Sequence, residues 1–258
     1  MSATNIPPLE EIAYRRIDKY PGRPTVIFLH DSLGCMELWR AFPERFADLT
    51  QCNVLTYDRQ GYGRSCAFQY AQRDNGYMEL EADILNALLD HWKLDDVVLF
   101  GHSDGGSIAL IAAGKYPDRI AGVVTEGAHI FVEDITLEGI REAARLYSST
   151  DLKVRLEKYH GTKTEALFKA WTETWLSEPF RTWNIEEFLP SISCPALIIQ
   201  GTDDEYGTLK QVDGIVNGTK GNAQSLIIPS IGHTPHKEAP ELVLEKAGAF
   251  VLDVLSKA

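Results

Sequence analysis

Short apolar runs and longer helical stripes alternate along this chain. Thr25 to Leu29, Asn53 to Tyr57, Val97 to Phe100, Ile120 to Thr125, Pro195 to Gln200 and Ser225 to Ile228 are rich in apolar and β-branched residues, the pattern of strands in a covered sheet. Glu11 to Ile17 instead alternates apolar and polar residues and stops before Tyr20-Pro21-Gly22, which predicts an edge strand of one hairpin. Helical stripes lie between the runs. Trp39, Phe42 and Phe46 share a face of a helix around Glu37 to Leu49. Ile84, Leu85, Leu88, Leu89 and Trp92 line one side of Tyr77 to Trp92, with Glu79, Glu81 and Asp83 near its positive end. Ile108 to Ala113, Leu209 to Val216 and Pro240 to Leu255 read as further helices. From Phe131 to Leu189 the alternation stops, and only helical patterns with short breaks remain.

This order predicts an α/β fold, a mostly parallel central sheet with helices on both faces. The interruption divides the chain into a first part of the core at 1–130, a helical lid insertion at 131–189 and a second part of the core at 190–258. In such sheets ligands sit at the carboxyl ends of the strands. The polar loops after Leu29, Phe100, Gln200 and Ile228 all fall there.

The loop after Phe100 reads Gly101-His102-Ser103-Asp104-Gly105-Gly106, a G-x-S-x-G between strand and helix. That is the pattern of a nucleophile elbow, which strains its serine and lifts the hydroxyl above the sheet. A serine hydroxyl is a poor nucleophile near neutral pH and needs a base within hydrogen-bond reach. Of the seven histidines, His233 follows the last strand through Gly232 in a short loop and is the preferred base; His236 is the fallback, and His129 follows another strand. His91 ends a helix, and His160 lies in the insertion, where a surface position is expected. The base needs a carboxylate to fix its tautomer. Asp204 follows Gly201 by a short loop, with Asp203 and Glu205 beside it as rivals, since a one-residue slip reverses which side chain points inward. The order Ser103, Asp204, His233 is the order of one particular fold.

Composition narrows the classes. A net charge of −12 with no basic stripe argues against nucleic acid as a partner. No run approaches the length of a membrane span, and Met1 to Glu10 lacks the basic and apolar regions of a signal peptide. Cys35, Cys52, Cys66 and Cys194 have no metal-site or disulfide spacing, so they read as reduced thiols of a cytoplasmic protein. The expectation is a small-molecule substrate, with no cofactor, metal, nucleic acid or membrane and an oligomeric state left open.

These motifs resemble the α/β-hydrolase family over nearly the whole chain. The matching stretches are His30-Asp31-Ser32-Leu33-Gly34, Asp58 to Ser65, the Ser103 elbow, Gly201-Thr202-Asp203-Asp204, and Gly232-His233 with Glu238-Ala239-Pro240 following. The resemblance implies Asp204 as the acid and an oxyanion hole made by the backbone N–H groups of Ser32 and Asp104. It also implies a helical lid, which matches the insertion. Two residues depart from the pattern. Asp31 stands where the family often has glycine, and Gln60 where its D-x-R-G loop has arginine; the loop from Asp58 reads as mostly structural. Within the family, Ser103 argues against the aspartate-nucleophile enzymes. The run Ser103-Asp104-Gly105-Gly106, with Ala112 to Pro117 after it, is similar to the biphenyl-hydrolase-like group, which implies cleavage of amino acid esters.

The reading is therefore a cofactor-independent serine hydrolase of a small carboxylic ester through a covalent acyl-enzyme. An amide, thioester or carbon–carbon bond hydrolase with the same triad, or a non-catalytic binding protein on the same fold, are the rivals. Trp171 and Trp175 in the insertion either pack it onto the core or form an aromatic wall over the substrate. Arg141, Arg145, Arg155 and Arg181 read as solvated, with one of them able to clamp an anion. Asp104 either interacts with free N–H groups in the first turn of its helix or points into the pocket at a substrate cation, where Asp31 would add a second negative charge.

Overall fold

The computed structural model describes residues 6–69 and 73–257. In chain order the elements are β1 (Tyr14–Ile17), β2 (Thr25–Leu29), α1 (Phe42–Thr50), β3 (Asn53–Tyr57), α2 (Tyr77–Trp92), β4 (Val97–His102), α3 (Asp104–Lys115) and β5 (Ile120–Glu126). Then come α4 (Asp134–Ser149), α5 (Leu152–His160), α6 (Thr164–Trp175), β6 (Ala196–Gly201), α7 (Leu209–Gly218), β7 (Ala223–Ile228), α8 (Pro235–Glu238) and α9 (Pro240–Ser256). Among the described residues the strands form one sheet in the order β1-β3-β2-β4-β5-β6-β7.

Every pairing is parallel except that of β1 with β3. The expected hairpin is thus not formed. Both edges of β2 are taken by β3 and β4, so the mostly exposed β1 pairs with the free edge of β3, Tyr14 opposite Tyr57. That placement leaves the fully buried strands inside and a polar strand at the rim, as edge protection requires.

Alternate residues of the central strands feed two cores. Ile27, Leu29, Leu55 and Leu99 pack with α2, α3 and the helices after β5, while Val26, Phe28, Val54 and Phe100 pack with α1 and α9. The second core is aromatic: the Phe28 and Phe100 rings stack at 4.8 Å, with Phe46 edge-on to both.

Several boundaries move from their predicted places. The stretch from Glu37 is a short 3-10 turn at Met36–Trp39, interrupted at Arg40 (φ 53°), before α1 starts at Phe42. The helix after the elbow begins at Asp104 rather than Ile108, because its first turn is built from the glycines that let it pass close to β2. Glu126 belongs to β5, where its backbone supports the neighbouring turn. No described helix is long and apolar enough to cross a membrane. The four cysteines are free thiols.

Candidate active site

The candidate residues lie at the carboxyl ends of the parallel strands. Ser103, between β4 and α3, has φ 54° and ψ −121°, a conformation that costs an L-residue on the order of 1–3 kcal/mol. The surroundings impose it. The Ser103 N–H donates to the Glu126 carbonyl at 2.8 Å, and the Ser103 carbonyl accepts from Gly106 at 2.8 Å and Ser107 at 3.1 Å. A Cβ at position 105 would overlap the Leu29 carbonyl, so only glycine lets α3 start this close to β2.

His233 lies between β7 and α8. Its Nδ1 donates to both oxygens of Asp204, at 2.8 and 2.9 Å, which leaves Nε2 as the lone-pair nitrogen. Asp204 is buried and also accepts the Tyr206 N–H at 2.8 Å. Burial pushes its pKa up, but the His233 charge and hydrogen bond win and hold it below the usual carboxylate value. The neighbouring acids do other things. Asp203 faces solvent and accepts from the Thr202 hydroxyl, and Glu205 accepts the His233 backbone N–H at 3.2 Å.

Ser103, Ser32, Asp104 and His233 line one cleft with a cavity volume of about 220 Å³, walled by Trp171 and Trp175 of α6. Among the described residues no hydrogen bond joins the Ser103 hydroxyl to the His233 ring, and the backbone N–H groups of Ser32 and Asp104 have no partner. Hydrogen bonds of this kind are often loose without substrate and tighten in the complex. The described residues hold no cluster of His, Cys, Asp and Glu side chains arranged for a metal ion.

The other histidines are held elsewhere. His129 lines the cleft but donates its Nε2–H to the Tyr206 carbonyl at 3.0 Å. His236, the fallback base, is buried outside the cleft with its Nδ1 2.6 Å from the Glu126 carboxyl. Burial pushes Glu126 up to about 7 and His236 down to about 3. His160 is a correction: it is buried, not at the surface, because it accepts the Gly63 N–H and donates to the Leu33 carbonyl, which joins the helices after β5 to the loops around the site.

The model of the alpha/beta hydrolase fold family matches residues 24–168. The chain belongs to that family. It is 33% identical to serine hydrolase BPHL from Homo sapiens over 194 residues, covering 71% of this chain and 64% of that protein. It is 28% identical to the Mus musculus serine hydrolase BPHL over 234 residues, 86% of this chain and 77% of that one. The match thus spans less than two thirds of the human relative's length. A thermophilic esterase from Thermogutta terrifontis shares the fold with a TM-score of 0.71 at 23% identity, over 94% of this chain and 93% of that one.

Within this α/β-hydrolase fold, the residues that the sequence reading passed over surround Asp104. Its Oδ2 accepts the Tyr77 hydroxyl at 3.0 Å, which in turn accepts Trp175 Nε1–H at 3.0 Å, and lies 3.7 Å from Arg59 Nη1. Asp104 therefore does not spend its side chain on the free N–H groups of its own helix. Arg59 is fully buried, and its guanidinium also donates to the backbone carbonyls of His30 and Asp31. The arginine sought at Gln60 is present one residue earlier and turned toward the site. Its signal was a basic residue two positions after a buried strand, at the carboxyl end of the sheet.

Proposed function

We propose that this chain is a serine hydrolase of small carboxylic esters, with Ser103 as nucleophile, His233 as general base and Asp204 as the acid that orients it. The observation that carries the reading is the His233–Asp204 pair opening on the same cleft as a serine held at positive φ. In this reading His233 Nε2 takes the Ser103 proton as the hydroxyl attacks the ester carbonyl. The tetrahedral oxyanion is met by the Ser32 and Asp104 N–H groups at the positive end of α3. His233 then returns the proton to the leaving alcohol, and water repeats the sequence on the acyl-enzyme.

The base must be neutral to act, which fixes the sign of the pH dependence. Burial lowers the His233 pKa, but the Asp204 charge and hydrogen bond, with Glu205 and Asp31 behind them, outweigh it and hold the value above 6.5. As pH falls through that value His233 becomes imidazolium and kcat/KM drops. The expected acid limb of kcat/KM therefore lies above 6.5, and a limb well below it is inconsistent with His233 as base.

The cleft points to the substrate class. Asp31, Asp104 and Glu205 line it, and among the described residues no lysine or arginine does. A carboxylate aimed at the reacting centre opposes an oxyanion, so its presence favours a cationic group on the substrate. The helices after β5, as a lid, would set the apolar part of the preference through Trp171 and Trp175, with Thr136 and Ile140 beside them. The volume suits a short acyl chain. The test is a series of p-nitrophenyl esters of increasing chain length, with and without an α-amino group, alongside the matching anilides. Turnover of the short esters, fastest with the amino group, is expected. Turnover of anilides alone would make the protein an amidase, and turnover of neither would remove the ester reading.

A further inference from the structure

Three acidic residues line the cleft, but they differ in what already balances their carboxylates. Asp104 is 2% exposed and has the buried Arg59 guanidinium 3.7 Å from Oδ2, with the Tyr77 hydroxyl donating to the same oxygen. Glu205 accepts the His233 backbone N–H. Asp31 is different. Its side chain is 28% exposed, and its hydrogen-bond donor among the described residues is the Leu33 N–H, at a long 3.4 Å. Lys237 acts on it from farther off, with no ion pair between them, and Arg59 binds its backbone carbonyl at 2.9 Å rather than its carboxylate.

The group facing Asp31 is His102, 3.7 Å from Oδ1 through its Nδ1. The other ring nitrogen fixes the tautomer. His102 Nε2 lies 2.8 Å from the His233 carbonyl, which only accepts, so Nε2 carries the hydrogen. Burial lowers the His102 pKa and keeps the ring neutral, which makes Nδ1 a lone pair. Two acceptors thus face each other beside the nucleophile, one of them on a ring only 3% exposed. Such a pair is completed by a donor lying between them. The position of Asp31 is also fixed: it folds over Gly34, where any Cβ would collide with the carboxylate.

We propose that Asp31, with the Nδ1 edge of His102 opposite it, is the subsite that receives a cationic nitrogen of the substrate, and that Asp31 rather than the Arg59-balanced Asp104 sets the preference for cationic esters. The nitrogen donates one hydrogen to Asp31 Oδ1 and one to His102 Nδ1. This subsite rests on the ester-hydrolase reading for its use in turnover, though not for its existence. The nitrogen belongs either to the acyl part, as an α-ammonium, or to the alcohol, as a 2-aminoethyl group.

The test measures kcat/KM for p-nitrophenyl 2-aminobutyrate against p-nitrophenyl butyrate, and for 2-aminoethyl against propyl butyrate, in wild type, Asp31→Asn and Asp104→Asn. The ratio of cationic to neutral ester is expected to fall by about tenfold or more in Asp31→Asn, for whichever pair carries its nitrogen on the correct side. It is expected to change much less in Asp104→Asn. An unchanged ratio in Asp31→Asn, or a collapse confined to Asp104→Asn, overturns the proposal. Binding of 2-aminobutyramide and of 2-aminoethanol by calorimetry reads the subsite without turnover. If no ester is hydrolysed but wild type binds either one at least about tenfold more tightly than Asp31→Asn does, the ester reading fails and the subsite stands. Equal binding by both proteins, of 2-aminobutyramide and of 2-aminoethanol alike, sinks the subsite whatever the esters show.

Discussion

Ser103→Ala is expected to abolish labelling by a fluorophosphonate probe and to lower kcat by on the order of 10⁴-fold or more. The physical reason lies in how little else at the site can attack. The turn that strains Ser103 holds its hydroxyl at the cleft, whereas Thr136, one of the two threonines lining the cleft, sits on α4 with its hydroxyl donated to the Tyr206 carbonyl. Removing Oγ leaves the oxyanion donors and the binding surface intact, so residual catalysis over water is expected from them alone. Because serine to alanine adds no bulk at a positive-φ position that already carries a Cβ, the variant should fold. Labelling that persists in Ser103→Ala, or never occurs in wild type, removes covalent catalysis at this residue.

Asp204→Asn is expected to lower kcat by about 10⁴-fold, against a small effect of Asp203→Asn. The two carboxylates are adjacent in sequence but point to opposite environments. Asp204 holds His233 Nδ1 with both oxygens inside the protein, whereas Asp203 sits in solvent with the Thr202 hydroxyl. An asparagine at 204 presents an amide in place of one oxygen and can turn the histidine to the tautomer with hydrogen on Nε2, which cannot take the serine proton. At 203 the same change disturbs a solvated turn. The measurement is steady-state kinetics of both variants on one ester; comparable losses would reassign the acid.

How much of this was legible in the sequence depended on whether the signal was local. Continuous apolar runs gave the parallel strands, and the four loops after them gave the edge at which Ser103, Asp204 and His233 meet. These are properties of short stretches read one at a time. The order of strands is not: the placement of β1 against β3 follows from which edges remain free after β2 is enclosed, a competition among distant segments. His160 failed for the same reason. Nothing around it in sequence announces that Gly63 and Leu33 will be its partners. Arg59 and Tyr77 were overlooked because each is ordinary where it stands, one after a strand and one at a helix start. They acquire meaning only when the fold brings them to Asp104.

Glu126 has a consequence of another kind. Its backbone carbonyl holds the Ser103 N–H, and its carboxyl meets His236, 110 positions further along and three residues past His233. One residue thereby fastens the Ser103 turn to the His233 loop. Positions 126 and 236 therefore do not tolerate substitution independently of each other. An apolar side chain at either place strands a buried polar partner at the other, so replacements at the two positions are energetically coupled. The separation of the two loops in sequence is large, but they are inherited as one part.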